Sequence, residues 1–415
     1  MRSSGAAGFN LPVAPVSPVR ALRACSVVPH GLTFRSMTAD QTTASTGTTG
    51  EPLTRVGGAQ SSESRGAFVD GDGQIHVREL TIPPSQLWSA EYTALYLQSV
   101  AAVPEADSLA VPERTAPAAQ WHAFDEWWDR RFNLEPLARA RVQYPVDVEE
   151  VAIAGVRAAV ITPREGVAAE HRDRVLLNLH GGGFVFHRGL SFGQLESIPL
   201  AAIGRYKVIT LDYRQAPFHR YPAATSDVLA VYSHLLQQHA AESIGIYGCS
   251  AGGTLTTQVI ASLQAHGLPR PGAIGVFNIG VMPHCDRPPW GRGWGESSMW
   301  YAGVPKNEMS PADHAVWDPV RWYMDQADPH DTQAYPGASD DVLARFPPTL
   351  FLSGTRDFAL SAVVFSHARL VKLGVDAALY VLEAFGHSGH VAAVGTPEAH
   401  DAHSYVAHWF GQKLR

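Results

Sequence analysis

The stretch "GCSAGG", Gly248 to Gly253, completes the strand-like run "SIGIYG" and opens the helix-like run "GGTLTTQVIASLQAHG". Within it, Gly248, Ser250 and Gly252 form the pattern G-x-S-x-G, which in this setting is typical of a serine on a sharp strand-to-helix turn. The neighbours must be small, because larger side chains would collide with the strand and the helix. The pattern therefore predicts that Ser250 is a nucleophile, whereas a plain glycine-rich loop is the alternative.

Short runs rich in Val, Ile and Leu alternate with helix-like segments on both sides of this turn. These runs are "VAIAGVRAAVITP", "RVLLNLH", "YKVITLDYR", "GAIGVFNIG", "PTLFLSG" and "AALYVLEAFGH". Strands that alternate with helices form a parallel sheet covered on both faces. We therefore expect an α/β protein with a mostly parallel central sheet flanked by helices, over residues 146–282 and 346–415.

Two other regions are rich in aromatic residues. Apolar residues at three- and four-residue intervals predict a helical segment within 66–145, and residues 283–345 interrupt the strand–helix alternation. Nine of the ten tryptophans lie in these two regions. We expect them to pack together as a helical cap over the sheet, although the rings could also simply hold the two regions to the core. Residues 1–65, rich in Thr, Ser, Gly and Ala, are predicted to be a disordered leader.

Composition and charge narrow the possible partners. The formal net charge is −7 and no basic stripe is present, which argues against binding to nucleic acid. No run of about 18 apolar residues occurs, so no membrane-spanning helix is expected. The three cysteines, Cys25, Cys249 and Cys285, are odd in number and widely spaced, which predicts free thiols and a cytoplasmic location. The sequence leaves open whether the protein is a homo-oligomer.

The run "HGGGF", His180 to Phe184, follows the strand-like run "RVLLNL". Successive glycines let a backbone approach a ligand closely and turn its N–H groups inward, as an oxyanion hole requires. Gly181 and Gly182 are the predicted donors, completed by the N–H of Ala251 after the nucleophile. A flexible glycine turn is the alternative interpretation.

A serine hydroxyl needs a base, and the base needs an orienting acid. Asp357 in "LFLSGTRDF" and His387 in "LEAFGHSGH" each follow a predicted strand, so both should lie at the same edge of the sheet as Ser250. They are the predicted acid and base.

Each role has rival candidates. His390 and Glu383 flank His387, but His387 directly follows the glycine at the strand end. Asp340 and Asp341 precede the strand "PTLFLSG", which would place them at its opposite end.

Taken together, the motifs "HGGGF", "YRQAPFHRYPAA", "GCSAGG", "TRDFAL" and "FGH" resemble the hormone-sensitive-lipase family of α/β-hydrolases in order and spacing. The resemblance implies an α/β-hydrolase fold, a triad of Ser250, Asp357 and His387, and a cap built from N-terminal helices and an insertion. It also implies the oxyanion donors Gly181, Gly182 and Ala251.

The chain departs from that family's pattern at three places. Cys249 stands where an Asp usually precedes the nucleophile, and Phe218 stands where a Glu usually follows Ala-Pro. Ser388 begins a Ser-Gly-His run where Gly-Phe usually follows the histidine. None of these departures removes a member of the triad.

The resemblance implies a serine esterase that acts on small-molecule carboxylic esters of short to medium acyl chains, with no metal or organic cofactor. Lactone or amide hydrolysis by the same triad is an alternative, and so is a non-catalytic protein that only binds a ligand. Dehalogenase or epoxide-hydrolase chemistry would need a carboxylate where this chain has Ser250.

Overall fold

The computed structural model describes residues 68–69, 75–76, 82–101, 109–281 and 321–415. The predicted leader, 1–65, and most of the predicted cap insertion, 283–345, lie outside the described residues. The chain divides into two compact units, Met1–Leu80 and Thr81–Arg415. In the first unit, two short antiparallel strands are described, β1 (Phe68–Val69) and β2 (Ile75–His76).

The second unit begins with helices and continues as alternating strands and helices. Its strands are β3 (Val146–Ile153), β4 (Val156–Pro163), β5 (Val175–Leu179), β6 (Lys207–Leu211), β7 (Ile244–Cys249), β8 (Ala273–Phe277), β9 (Thr349–Gly354) and β10 (Ala377–Leu382). Its described α-helices are α1 (Ala90–Ala101), α2 (Ala118–Trp128), α3 (Leu134–Gln143), α4 (Ser191–Gly204), α5 (Ala223–Leu235), α6 (Ala251–Ala265), α7 (Asp340–Leu343), α8 (Leu360–Lys372), α9 (Gly389–Ala392) and α10 (Pro397–Lys413). A π-helix, Asp129–Asn133, joins α2 to α3.

The eight strands of this unit form one sheet in the order β10-β9-β8-β7-β5-β6-β4-β3. Every neighbouring pair from β10 to β6 is parallel, whereas β4 pairs antiparallel with both β6 and β3. This order confirms the predicted α/β fold with a mostly parallel sheet. Each strand predicted from an apolar run is present, and "VAIAGVRAAVITP" contributes to two of them.

The central strands of the sheet are buried on both faces, which explains why they are apolar without alternation. In β5, Val175 and Leu177 belong to one apolar core, and Leu176 belongs to the other. Helices α5 and α6 cover the first core, and α4 and α10 cover the second. Full burial of one Leu side chain stabilises the fold by about 2 kcal/mol, so the sheet is a firm platform for the loops at its ends.

The N-terminal helices α1 to α3 lie within the predicted helical segment 66–145. In α2, the ring of Trp121 meets that of Trp322 edge to face, at 6.0 Å between centroids. Arg114 forms an ion pair with Asp325. The two aromatic-rich regions therefore touch here, but Trp290, Trp294, Trp300 and Trp317 lie outside the described residues, so the cap as a whole stays a prediction.

Among the helices of the described ranges, none has both the length and the apolar character that crossing a bilayer requires. Cys249 is a buried free cysteine. Cys25 and Cys285 lie outside the described residues.

Candidate active site

The predicted site residues follow four strands of the parallel part of the sheet. Gly181 and Gly182 come after β5, Ser250 after β7, Asp357 after β9 and His387 after β10. Because these strands run parallel, their carboxyl ends share one edge, which is where open α/β sheets place their ligands. The structure thus brings four loops together at the edge that the sequence predicts.

Ser250 lies in a strained turn between β7 and α6. Its φ is 55° and its ψ is −118°, a backbone conformation that residues other than glycine rarely adopt. A Cβ atom on Gly248 or on Gly252 would overlap the carbonyl oxygen of Leu179 in β5. The two glycines of the pattern are therefore required because the turn lies directly against the neighbouring strand. Strain of this kind costs about 1 to 3 kcal/mol and persists only where the surroundings hold it.

Ser250, His387 and Asp357 form a continuous hydrogen-bonded series. The Nε2 atom of His387 lies 2.9 Å from Oγ of Ser250, and its Nδ1 atom lies 2.9 Å from Oδ1 of Asp357. The ring of Phe358 stacks on the imidazole at 4.1 Å between centroids. Because the carboxylate accepts a hydrogen bond from Nδ1–H, the unprotonated Nε2 faces the hydroxyl as a base. This arrangement can take the proton of Ser250 and stabilise the imidazolium that results.

Asp357 is fully buried and accepts hydrogen bonds from several directions. Oδ2 accepts from Nδ2 of Asn278 at 2.7 Å and from Oγ of Ser353 at 2.8 Å, and Oδ1 accepts from the N–H of Ala359 at 3.0 Å. Burial opposes ionisation of this carboxyl, but His387 and the donors outweigh it and lower its pKa below the usual value. Neither Asn278 nor Ser353 belongs to a motif that the sequence singles out. Their only signal is their place at or near the end of a strand.

The alternative candidates for the acid and the base lie in different environments from Asp357 and His387. His390 is buried, and burial lowers its pKa to about 3, so its ring is neutral. Glu383 accepts a hydrogen bond from Thr355 at 3.1 Å. Asp340 lies in the short helix α7 and accepts from Nε of Arg369 at 2.8 Å. Asp341 lies in the same helix, before β9, at the end of the strand opposite Asp357.

The glycine loop after β5 requires a correction to the predicted oxyanion donors. The N–H of Gly181 donates to Oε1 of Glu196 at 3.0 Å, so it is already engaged within the protein. The backbone then turns sharply, with φ of 118° at Gly182 and 61° at Gly183. Among the described residues, no acceptor takes the N–H of Gly182, Gly183 or Ala251. Gly183 is therefore a candidate donor that the sequence reasoning missed, although it is the third glycine of the same motif.

Glu196, in α4, lies beneath this loop and is almost fully buried. Its other oxygen, Oε2, accepts from Nδ2 of Asn178 at 2.7 Å, and Oδ1 of Asn178 accepts from the hydroxyl of Thr210 at 2.7 Å. Burial raises the pKa of Glu196 to about 8, even though Asn178 and Gly181 donate to it. The glycine loop is thus anchored to a carboxyl group that burial favours in its protonated form.

His187 closes the same loop on the side of α2. Its Nδ1 atom accepts from Nε1 of Trp128 at 3.2 Å and lies 3.0 Å from Nδ2 of Asn133. Its ring stacks on Phe192 at 3.9 Å between centroids. Burial lowers the pKa of His187 to about 3, so the imidazole ring beside Gly182 is neutral.

Comparison with known proteins agrees with this geometry. The α/β-hydrolase fold family matches residues 176–391. The chain is similar to the crystal structure of an esterase E25, with 30% identity, a TM-score of 0.66, and coverage of 82% of this chain and 99% of that one. A crystal structure of an esterase from the bacterial hormone-sensitive lipase family shares the fold, with 23% identity, a TM-score of 0.61, and coverage of 79% and 99%.

A curated relative is also similar. An acetyl-hydrolase of Streptomyces hygroscopicus is 32% identical over 154 residues, which are 35% of this chain and 50% of that protein. The chain spans about half the length of the curated relatives that it resembles.

Proposed function

Because the chain belongs to the α/β-hydrolase family, we propose that it is a serine hydrolase that cleaves carboxylic esters of short to medium acyl chains. Its expected resemblance to the hormone-sensitive-lipase branch is supported by the family match and by a solved esterase of that branch that shares the fold. The observation that carries the proposal is the series of two 2.9 Å contacts from Ser250 through His387 to Asp357. We assign the nucleophile to Ser250, the base to His387 and the orienting acid to Asp357.

The first half of the reaction forms an acyl-enzyme. Nε2 of His387 takes the hydroxyl proton as Oγ of Ser250 attacks the ester carbonyl carbon, and Asp357 stabilises the imidazolium. The same histidine then gives that proton to the departing alcohol. In the second half, His387 takes a proton from water, the hydroxide attacks the acyl carbon, and Ser250 leaves with the proton returned from the imidazolium.

The negative oxygen of each tetrahedral intermediate needs backbone donors. We assign these to the N–H groups of Gly182, Gly183 and Ala251, in place of Gly181, whose N–H is bonded to Glu196. Ala251 is the first residue of α6, so its N–H also lies at the positive end of a helix dipole. Removal of one such donor typically lowers turnover by about 10² to 10³.

Two observations support the substrate class. A curated relative is named an acetyl-hydrolase, which favours a short acyl group. The neutral His187 and the aromatic rings around it place no charge beside the glycine loop, which suits an uncharged ester.

The proposal is tested with p-nitrophenyl esters of increasing acyl length and with a fluorophosphonate probe. We expect turnover to be fastest on short esters, and labelling to be abolished in Ser250→Ala. An unlabelled native protein would contradict a serine hydrolase and favour a protein that only binds its ligand. Labelling that persists in the variant would remove Ser250 from the role of nucleophile. A reactive Ser250 that cleaves no ester, but cleaves lactones or amides, would reassign the substrate class.

A cytoplasmic location is part of the proposal and rests on the odd, widely spaced cysteines of the sequence. Cell fractionation tests it, and recovery in a secreted or envelope fraction would contradict it.

A further inference from the structure

Cys249 is the last residue of β7 and directly precedes Ser250. Its side chain is buried, and its sulfur touches two polar groups from different loops. Sγ lies 3.4 Å from Oδ1 of Asn278, after β8, and 3.0 Å from Oγ of Ser388, after β10. The thiol at the end of β7 therefore links the loop after β8, whose Asn278 donates to the acid, with the loop after β10, which carries the base.

The direction of each hydrogen bond follows from the donors available. Burial raises the pKa of the Cys249 thiol well above its usual value, so the group keeps its proton. A thiol has one hydrogen, and the amide oxygen of Asn278 can only accept. Cys249 accordingly donates to Asn278, and the hydroxyl of Ser388 donates to the sulfur.

The contact with Asn278 bears on the acid. An amide side chain presents an oxygen on one side and an N–H₂ group on the other. With Oδ1 held by the thiol, Nδ2 of Asn278 faces Oδ2 of Asp357 at 2.7 Å. The reversed amide would set an oxygen against the carboxylate, so the carboxylate selects this orientation. The thiol then restrains the same amide from its oxygen side.

The contact with Ser388 bears on the base. Ser388 follows His387 directly and has left-handed backbone angles, φ 55° and ψ 21°. This conformation is unfavourable for serine and must be held by its surroundings. The bond from its hydroxyl to Cys249 is one such restraint, and it acts on the residue next to the imidazole.

We propose that Cys249 is a positioning residue, which holds Asp357 through Asn278 and the His387 loop through Ser388. This inference rests on the proposed function, since it assigns a role within the same triad. The side chain takes no part in bond making or breaking. It acts as a fixed donor and acceptor between Asn278, which donates to the acid, and the loop that carries the base.

The first test compares Cys249→Ala and Ser388→Ala with the native enzyme on a p-nitrophenyl ester. Each variant should lower kcat about 3- to 10-fold and leave KM within about twofold, because loss of one hydrogen bond misplaces the triad without changing ester binding. A less firmly held Asn278 donates less well to Asp357. The carboxylate then holds the protonated base more strongly, and the acid limb of the kcat/KM profile should move to higher pH.

A double-mutant cycle separates positioning from packing. Cys249→Ala also removes the one contact that Ser388→Ala removes, so the double variant should be only about as slow as Cys249→Ala alone. Cys249→Ser keeps a donor and an acceptor on a shorter arm, and its kcat should lie between the native and Ala values. The matched control is Ser243→Ala, which removes a buried hydrogen bond to Arg415 just before the opposite end of β7 and should leave kcat unchanged.

The fluorophosphonate labelling rate keeps this inference separate from the proposed function. Native protein that is not labelled would overturn the proposed function itself. If Ser250 is labelled, three outcomes would each overturn the positioning role. They are a native kcat in Cys249→Ala, a double variant whose loss of kcat is the product of the two single losses, and a kcat of Cys249→Ser as low as that of Cys249→Ala. A lower kcat together with coupled effects and a shifted acid limb supports it.

Discussion

Two buried carboxyl groups serve the two halves of the candidate active site, and their pKa values move in opposite directions. Asp357, on the acid–base side, has a lowered pKa because His387 and several donors outweigh its burial. Glu196, under the glycine loop, has a pKa raised to about 8, because burial outweighs two donors and no cationic side chain contributes. Asp357 differs from Glu196 in having a partner that can carry positive charge as well as more hydrogen-bond donors, and together these keep its carboxyl ionised.

The largest expected effect concerns the ionised side of this comparison. Asp357→Asn should lower kcat by about 10³ to 10⁴, because the amide neither stabilises the imidazolium nor selects the correct tautomer of His387. The measurement is steady-state turnover of a p-nitrophenyl ester. Asp340→Asn is the control, since Asp340 pairs with Arg369 away from the triad. A loss smaller than about tenfold would remove Asp357 from the acid role.

The glycine loop should respond next most strongly. Gly182→Ala should lower kcat by about 10² to 10³, because a Cβ there would overlap the carbonyl oxygen of Phe186 and displace the donor N–H groups. Gly155→Ala is the matched control. Gly155 also has positive φ, 82°, but no atom lies within 4 Å of the position that an added Cβ would take, so it should lose stability with kcat intact. Equal kcat in the two variants would contradict the role of the loop.

Glu196→Gln tests the role of the buried carboxyl group that keeps its proton. The new amide would set an N–H group against Nδ2 of Asn178, whose oxygen is already bonded to Thr210, so the loop should shift and kcat should fall about tenfold. Stability gives an independent readout. Between about pH 4.5 and about 8 the unfolded chain ionises Glu196 while the folded protein keeps its proton. Native stability should therefore fall relative to the variant as pH rises through this window.

The stability difference should change by at most on the order of 4 kcal/mol across the window. Urea denaturation of both proteins over about pH 5 to 9 measures it. A difference that does not vary with pH would mean that Glu196 ionises normally in the folded protein, and the contrast with Asp357 would fail.

The smallest effect is expected from Ser353→Ala. This change removes the 2.8 Å hydrogen bond from Oγ of Ser353 to Oδ2 of Asp357 and leaves the other donors to Asp357 in place. It should lower kcat about two- to fivefold. Because a lowered pKa stabilises the fold above the usual range of the carboxyl, the native advantage over this variant should shrink as pH falls below about 3.8. An advantage that grows in acid would reverse the sign assigned to Asp357.

The fold and the positions of the main chemical groups were accessible from the sequence. Apolar runs predicted each strand of the parallel part, and their order placed Ser250, Asp357 and His387 at one edge. Asn278 and Glu196 were not accessible, because each acts through side-chain contacts with residues of other structural elements. Asn278 and Asp357, for example, are 79 positions apart. No local periodicity specifies such a contact.

The role of Ser250 could be predicted from its motif because it depends on residues adjacent in the sequence. A strand must turn sharply into a helix there, and only small residues fit beside the nucleophile. The direction of an N–H group is not local in this sense. Glycine accepts positive and negative φ almost equally, so "HGGGF" is compatible with several backbone conformations. Packing against Glu196 selected the conformation in which the N–H of Gly181 is bonded to that carboxyl group. The thiol of Cys249 likewise acquires its partners, Asn278 and Ser388, only when the ends of β7, β8 and β10 meet at one edge of the sheet.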